Sequence, residues 1–171
     1  MVTLKQKHSG CHTSYMTRNL RIRKLKISDF FFSFKLRNTP DAYKWFHTNT
    51  PTTYLRHLSW FSQRLLFARD QTFVACTDRN RVGICYLSRQ SVQDQCLVSI
   101  SVSTSFRRTG IGEYLLRYIT EVERNHGFKI FNASIHIDNV SSLALFRRVG
   151  FEADNNSHAV ENFVSLKKTF V

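Results

Sequence analysis

From Leu20 to Ile27 the chain sets apolar residues (Leu20, Ile22, Leu25, Ile27) among basic ones, an imperfect period of two that predicts a first strand in NLRIRKLKIS. The period then lengthens. SDFFFSFKLRN reads as a helix capped by Ser28, and a second helix is expected from Thr50-Pro51, with Leu55, Leu58, Phe61 and Leu65 as its apolar stripe. QTFVACT, DRNR and VGICYLSRQ return to period two and predict a hairpin. QCLVSISVS follows as a strand with Leu97, Ser99 and Ser101 on one side and Val98, Ile100 and Val102 on the other. Ile111, Leu115, Ile119 and Val122 then form one helix face, ended by Gly127. KIFNASIHI is a strand. A short helix starts at Asn139 or Ser141, turns Leu143, Phe146 and Val149 inward and stops at Gly150, and HAVENFVSLKKTFV supplies the last strand. The order is strand, two helices, three strands, helix, strand, helix, strand, which is an α+β or mixed α/β domain on one central sheet.

Composition limits what such a domain can be. At 171 residues, 42% of them hydrophobic and fifteen of them phenylalanine, the chain can build one sizeable core. No apolar run reaches the roughly 20 residues of a membrane span, so no membrane partner is expected. The first twenty residues lack the apolar centre of a secretory leader, so the expected location is cytoplasmic. Cys11, Cys76, Cys85 and Cys96 show no metal-type spacing, so reduced thiols and no metal are expected. The formal charge of +13 is uneven: Lys5, Lys7, Arg18, Arg21, Arg23, Lys24 and Lys26 fall within residues 1–28, which contain no acid. That segment reads either as attracted to a polyanion or as a solvated tail leading into a basic strand. No aromatic platform or nucleic-acid motif accompanies it, so nucleic acid is not the expected partner. A disordered basic tail is expected over residues 1–17 and a single domain over 18–171.

FRRTGIGEYLLRYI carries the first chemistry. A strand that turns sharply into a helix presents free backbone N–H groups and the positive end of the helix dipole. Gly110 and Gly112 let a phosphate approach that backbone, Arg107 and Arg108 add charge, and Thr109 can donate a hydroxyl. The P-loop pattern Gly-x-x-x-x-Gly-Lys-Ser/Thr is absent, and the stretch lacks the third glycine of a dinucleotide fingerprint. The competing reading is a tight turn with exposed arginines.

Arg107-x-x-Gly110-x-Gly112 follows the strand ISVS and opens a helix, and about 30 residues later stands Asn139-VSSLALFRRV-Gly150-Phe151. These segments, in this order and spacing, resemble the GNAT N-acetyltransferase family over roughly residues 18–171. The resemblance implies a mostly antiparallel sheet whose fourth and fifth strands splay into a V, with helices on both faces. It implies acetyl-CoA as cosubstrate, its pyrophosphate on the amides of Arg107, Arg108, Thr109, Gly110, Ile111 and Gly112. The pantetheine would bond backbone near Ser101 and Val102 and meet Asn139, while Ser142 and Phe146 flank its thiol end. Acetyl transfer needs an amine to lose a proton, donors for an oxyanion, and a leaving thiolate. The Val102 N–H is the natural oxyanion donor. Two departures matter: Phe146 stands where the family often has tyrosine, and Leu97 lies near the usual glutamate. His136, on the fifth strand, is the candidate base, against the alternative of an ordinary strand side chain.

The acceptor side of such enzymes is built by the first two helices, here LRNTPDAYKWFHTNTPTTYLRHLSWFSQRL. Arg37, Asn38, Trp45, His57 and Trp60 resemble a subgroup that acetylates nucleotide-linked amino sugars of the pseudaminic and legionaminic acid pathways, with Tyr43 departing where arginine is common. His57 and Trp60, three apart, share a helix face distinct from the leucine stripe. Rings can stack on a sugar or base and Arg37 can reach a phosphate; alternatively the tryptophans fill the core. The expected acceptor is a small amine, preferably on a sugar nucleotide. The rivals are a protein N-terminus, a lysine or another small amine, and a degenerate binding module that has lost catalysis. A homodimer is left open.

Overall fold

One seven-stranded sheet, in the order β1-β2-β3-β4-β5-β7-β6, organises the computed structural model, which describes residues 20–66, 70–92, 94–154 and 160–170. The tail expected over 1–17, with Cys11, lies outside the described residues. The strands are β1 (Arg21–Lys24), β2 (Asp70–Cys76), β3 (Arg81–Arg89), β4 (Gln95–Val102), β5 (Ile130–His136), β6 (Glu152–Ala153) and β7 (Phe163–Thr169). The helices are α1 (Phe30–Arg37), α2 (Pro40–Tyr43), α3 (Tyr54–Leu66), α4 (Ile111–Asn125) and α5 (Val140–Arg148). Every pairing is antiparallel except β4 with β5.

That exception shapes the molecule. β4 and β5 pair only through Gln95↔Ile130, Cys96↔Phe131 and Leu97↔Asn132. Beyond Leu97 the strands part, so β4 from Val98 to Val102 is paired on one side only, with β3. This is the expected splay, and it leaves a row of strand backbone groups facing a gap.

The strand alternation sorts side chains between two faces. Leu87, Val98, Phe131, Ala133 and Ile135 join the main core with Ile111, Leu115, Leu116 and Ile119 of α4 and Leu143 and Phe146 of α5. Gly127 and Gly150 follow α4 and α5 in the left-handed region, at φ 97° and 93°, as a helix stop requires. The other face meets α1, whose Leu36 packs on Val74 and Ile84, and α3, whose Trp60 meets Tyr86. Helices therefore cover both faces. Cys76, Cys85 and Cys96 are free, and burial holds the thiols of Cys85 and Cys96 well up, that of Cys96 to about 12.

Several expectations need correcting. Ser28 does not cap the first helix; Asp29 precedes it, and its buried carboxylate accepts from the Lys26 N–H at 2.8 Å, from Arg23 at 2.6 and 2.8 Å and from Arg81 at 2.6 Å. A charged group with four donors outcompetes a serine hydroxyl for this turn. The second long helix does not begin at Thr50-Pro51 but at Tyr54, while Pro40 opens the short α2. Of the stripe expected on α3 only Phe61 is buried, at 3% exposed; Leu55 is 75% exposed and Leu58 39%, and His57, outside the stripe, turns inward at 3%. The rings of α1 explain this, since Phe30 meets His57 at 5.4 Å and Phe61 at 5.2 Å and selects an aromatic partner surface. Finally, β6 is a two-residue strand on the β7 edge with too little length to read as a period.

Candidate active site

A cavity of about 1100 Å³ lies between the polar sheet face, the arm from Arg37 to Arg64, and the starts of α4 and α5. Period two builds its floor. Tyr86 lies opposite Ser99 and Ser88 opposite Leu97 in the β3–β4 register, and Ser134 and His136 lie on β5; all of them line the cavity.

One end is a phosphate cradle in geometry. Arg108 and Gly110 take left-handed φ values of 62° and 82°, which turn the chain sharply into α4. The first bond of the α4 ladder runs from Tyr114 N–H to Gly110 O at 3.0 Å, so the amides of Ile111, Gly112 and Glu113 precede it. Gly110 caps the helix without a side chain, leaving those amides to an outside anion. A Cβ on Gly112 would come within 3.2 Å of Leu145 Cδ2, so a glycine is what lets α4 start this close to α5. Asn139 Oδ1 accepts from Ser142 N–H at 3.2 Å and starts α5 on the far side of the gap. Ser101, Val102, Arg107, Arg108, Gly110, Gly112, Asn139, Ser142 and Phe146 all line the cavity.

The Thr109 hydroxyl differs from expectation. Thr109 donates its hydroxyl to Phe106 O at 2.7 Å, which closes the turn and takes the proton intended for a phosphate. The Ile111 side chain is fully buried, so only its amide can serve. Arg107 is also tied into the scaffold: Nε donates to Val102 O at 3.2 Å, and Nη1 stands 3.5 Å from Asp41.

At the other end, Arg37 is half-buried, lies 4.0 Å over the Phe46 ring, and donates to Thr48 Oγ1 at 3.0 Å and Thr50 O at 3.5 Å. These partners carry no negative charge, and burial pulls the guanidinium pKa down. Arg56 adds a second cation to the same wall. Asn38 does not face the cavity. It clasps the loop instead, donating to Thr52 O at 3.0 Å and accepting from Thr52 N–H at 2.7 Å. Trp60 meets His57 at 5.2 Å and Tyr86 at 5.2 Å, forming a ring wall. His57 lines the cavity, and burial, helped by Arg37, holds its pKa down to about 4. Trp45 leans over His136 at 5.5 Å.

His136 departs from the expected base. The Asp138 N–H donates to its Nδ1 at 3.2 Å. That occupies the lone pair a base would use and leaves the proton of the neutral ring on Nε2. Tyr86, Ser88, Arg56 and Arg64 escaped the sequence reading. The alternation of β3 puts Tyr86 and Ser88 on one face, but the Tyr86↔Ser99 register that brings them beside Ser99 follows from strand pairing. Burial raises the Tyr86 phenol well above its ordinary range.

Among the described residues no helix is long and apolar enough to cross a membrane, and no cluster of three or more His, Cys, Asp or Glu could hold a metal. The family described as Acetyltransferase (GNAT) matches residues 34–151. No curated protein matches the sequence. Among solved structures, a domain from Methanocaldococcus jannaschii is 20% identical, with TM-score 0.77 over 88% of this chain and 98% of that one. Spermidine N-acetyltransferase from Vibrio cholerae, in complex with CoA and spermine, is 15% identical, with TM-score 0.78 over 88% and 95%. Ribosomal-protein-alanine N-acetyltransferase from Brucella melitensis is 21% identical, with TM-score 0.72 over 88% and 99%.

Proposed function

The chain belongs to the acetyltransferase (GNAT) family, and we propose that it moves the acetyl group of acetyl-CoA directly to the primary amine of a nucleotide-linked amino sugar. Acetyl-CoA supplies the activated acetyl thioester. The residues present fit it: the unladdered amides ahead of α4, Arg108 beside them, and the one-sided β4 backbone suit a pyrophosphate followed by an amide-rich arm.

The observation that carries the acceptor reading is Arg37. It is a half-buried guanidinium bonded to neutral oxygens, next to Arg56 and a ring wall of His57, Trp60 and Tyr86. A cation taken partly out of water gains most from an incoming anion, and rings suit a base or sugar. A polyamine would meet repulsion at this wall. The Val102 N–H would donate to the tetrahedral oxyanion, and Asn139 and Ser142 would border the arm.

The test is a panel of amines with acetyl-CoA, read by release of the free thiol. UDP-linked 4-amino sugars should be acetylated faster than spermidine or an alanine-terminated peptide. Turnover of spermidine or peptide with the sugar nucleotides inert would overturn the acceptor assignment.

A further inference from the structure

We infer that His136 serves the transfer as a fixed hydrogen-bond donor through its Nε2–H, directed at the charge that grows on the leaving sulfur. The inference rests on the acetyl-transfer reading above.

The geometry comes from one turn of backbone. The Asp138 N–H donates to His136 Nδ1 at 3.2 Å. Rings hold the imidazole in that orientation: Trp45 packs at 5.5 Å and Phe163 at 5.2 Å. A ring flip would put Cδ2 in the place of Nδ1 and so break the Asp138 bond. Titratable groups surround the ring. Asp138 Oδ2 lies 3.8 Å from the same Nδ1, Lys44 sits 4.9 Å over the Trp45 ring, and His47 stacks on Phe163 at 3.9 Å. Among the described residues the buried side-chain polar atoms without a partner are Gln71 Oε1 and Thr72 Oγ1. His136 Nε2 has no partner among the described residues, and His136 lines the cavity.

The position gives this donor a task. His136 ends β5 beyond the last β4–β5 pair, on the wall of the gap that faces β4. Phe146, which lines the same gap, has no proton to offer. In the transfer the amine nitrogen bonds the acetyl carbon, the C–S bond breaks, and its electron pair leaves on sulfur. The proton lost by the amine passes to water. His136 keeps its own proton throughout, so no imidazolate forms. It supplies a preorganised dipole where negative charge appears.

The experiment compares the wild type with His136→Leu and His136→Gln. Two-bond ¹H–¹⁵N correlation of the imidazole in the full chain should show a neutral ring with Nδ1 bare and Nε2 protonated; a ring protonated on Nδ1 alone would overturn the inference. Calorimetry should give all three proteins acetyl-CoA affinities within about threefold. With the fastest amine of the panel, His136→Leu should lose about 10- to 100-fold in kcat, the scale of one lost donor. His136→Gln, which retains an N–H, should recover part of it. The acid limb of the pH–rate profile should survive in both variants. Loss of that limb would make His136 a base, and an unchanged kcat in His136→Leu would leave it no part in the transfer. A wild type that binds no acetyl-CoA would sink the acetyl-transfer reading itself, while the imidazole spectrum still decides the donor geometry.

Discussion

Ser33 Oγ and His57 Nε2 lie 2.9 Å apart, and Ser33 gives its only proton to the Phe30 carbonyl at 2.8 Å. Ser33 must therefore accept from His57. The Nε2 of His57 carries the proton, and its Nδ1 lone pair is free for the cavity. The two histidines of the cleft are thus held in the same Nε2–H tautomer, His57 by Ser33 and His136 by Asp138, and it is the other ring nitrogen, a lone pair on His57 and an N–H on His136, that each leaves unbound.

Ser33→Ala removes the constraint on His57 while keeping the ring. The acceptor KM should rise about threefold to tenfold, and the fold should lose about 1–2 kcal/mol for the broken buried bond. Acetyl-CoA affinity by calorimetry should not move. A lowered melting temperature with unchanged acceptor kinetics would show that the His57 tautomer plays no part in acceptor binding.

Stability should fall in two stages as the solution is acidified. His57 titrates at about 4 in the fold against 6.5 in the free state, so below 6.5 the unfolded chain takes up a proton that the fold refuses. That contribution is complete above 6.5, is lost as pH drops toward 4, and amounts to about 3 kcal/mol. Asp29 follows. Burial alone would raise its pKa, but the bonds from Arg23, Arg81 and the Lys26 N–H bring it to about 2 from 3.8. Its contribution, about 2 kcal/mol, is complete above 3.8 and disappears as pH falls through 2. Urea melts at a series of pH values should resolve both stages. His57→Phe should erase the upper one and leave the lower, and an upper stage that persists in that variant would assign it to another group.

Gly110→Val tests the cradle. A β-branched residue is strongly disfavoured at a φ of 82°, so the turn must shift and carry the α4 amides with it. Acetyl-CoA should bind at least about tenfold more weakly by calorimetry, with a stability loss of roughly 1–2 kcal/mol. Unchanged affinity would detach the loop from coenzyme binding.

Strands β2 to β5, β7 and α4 were legible because each runs over seven or more residues. Ile111, Leu115 and Ile119 fall on one stripe, and β4 sets Val98 inward beside an exposed Leu97. The arm from Ser28 to Leu66 was not legible in the same way. Its inner surface is aromatic and polar, so Leu55 and Leu58 of α3, though correctly spaced for a helix, stay exposed, and His57 takes the place of a core residue. The roles of Asn38 and Thr109 depended on partners fourteen and three residues away, Thr52 and Phe106, which no local pattern announces. The direction of the His136 lone pair depended on a single backbone N–H. A sequence can place an imidazole on a strand, but its tautomer is a property of the turn that follows.

The three-rung contact from Gln95 to Leu97 has a mechanical consequence. It divides the sheet into two plates, β1–β4 and β5–β7–β6, joined at one end like the two halves of a tongs. Above that fulcrum the plates are braced by the helices across them, where Gly112 of α4 meets Leu145 of α5. The stiffness of the opening is therefore set far from the rungs, at a contact between two helix starts. A larger side chain at residue 112 would act as a wedge on the whole aperture, altering the spacing of Val102 and His136 without touching either.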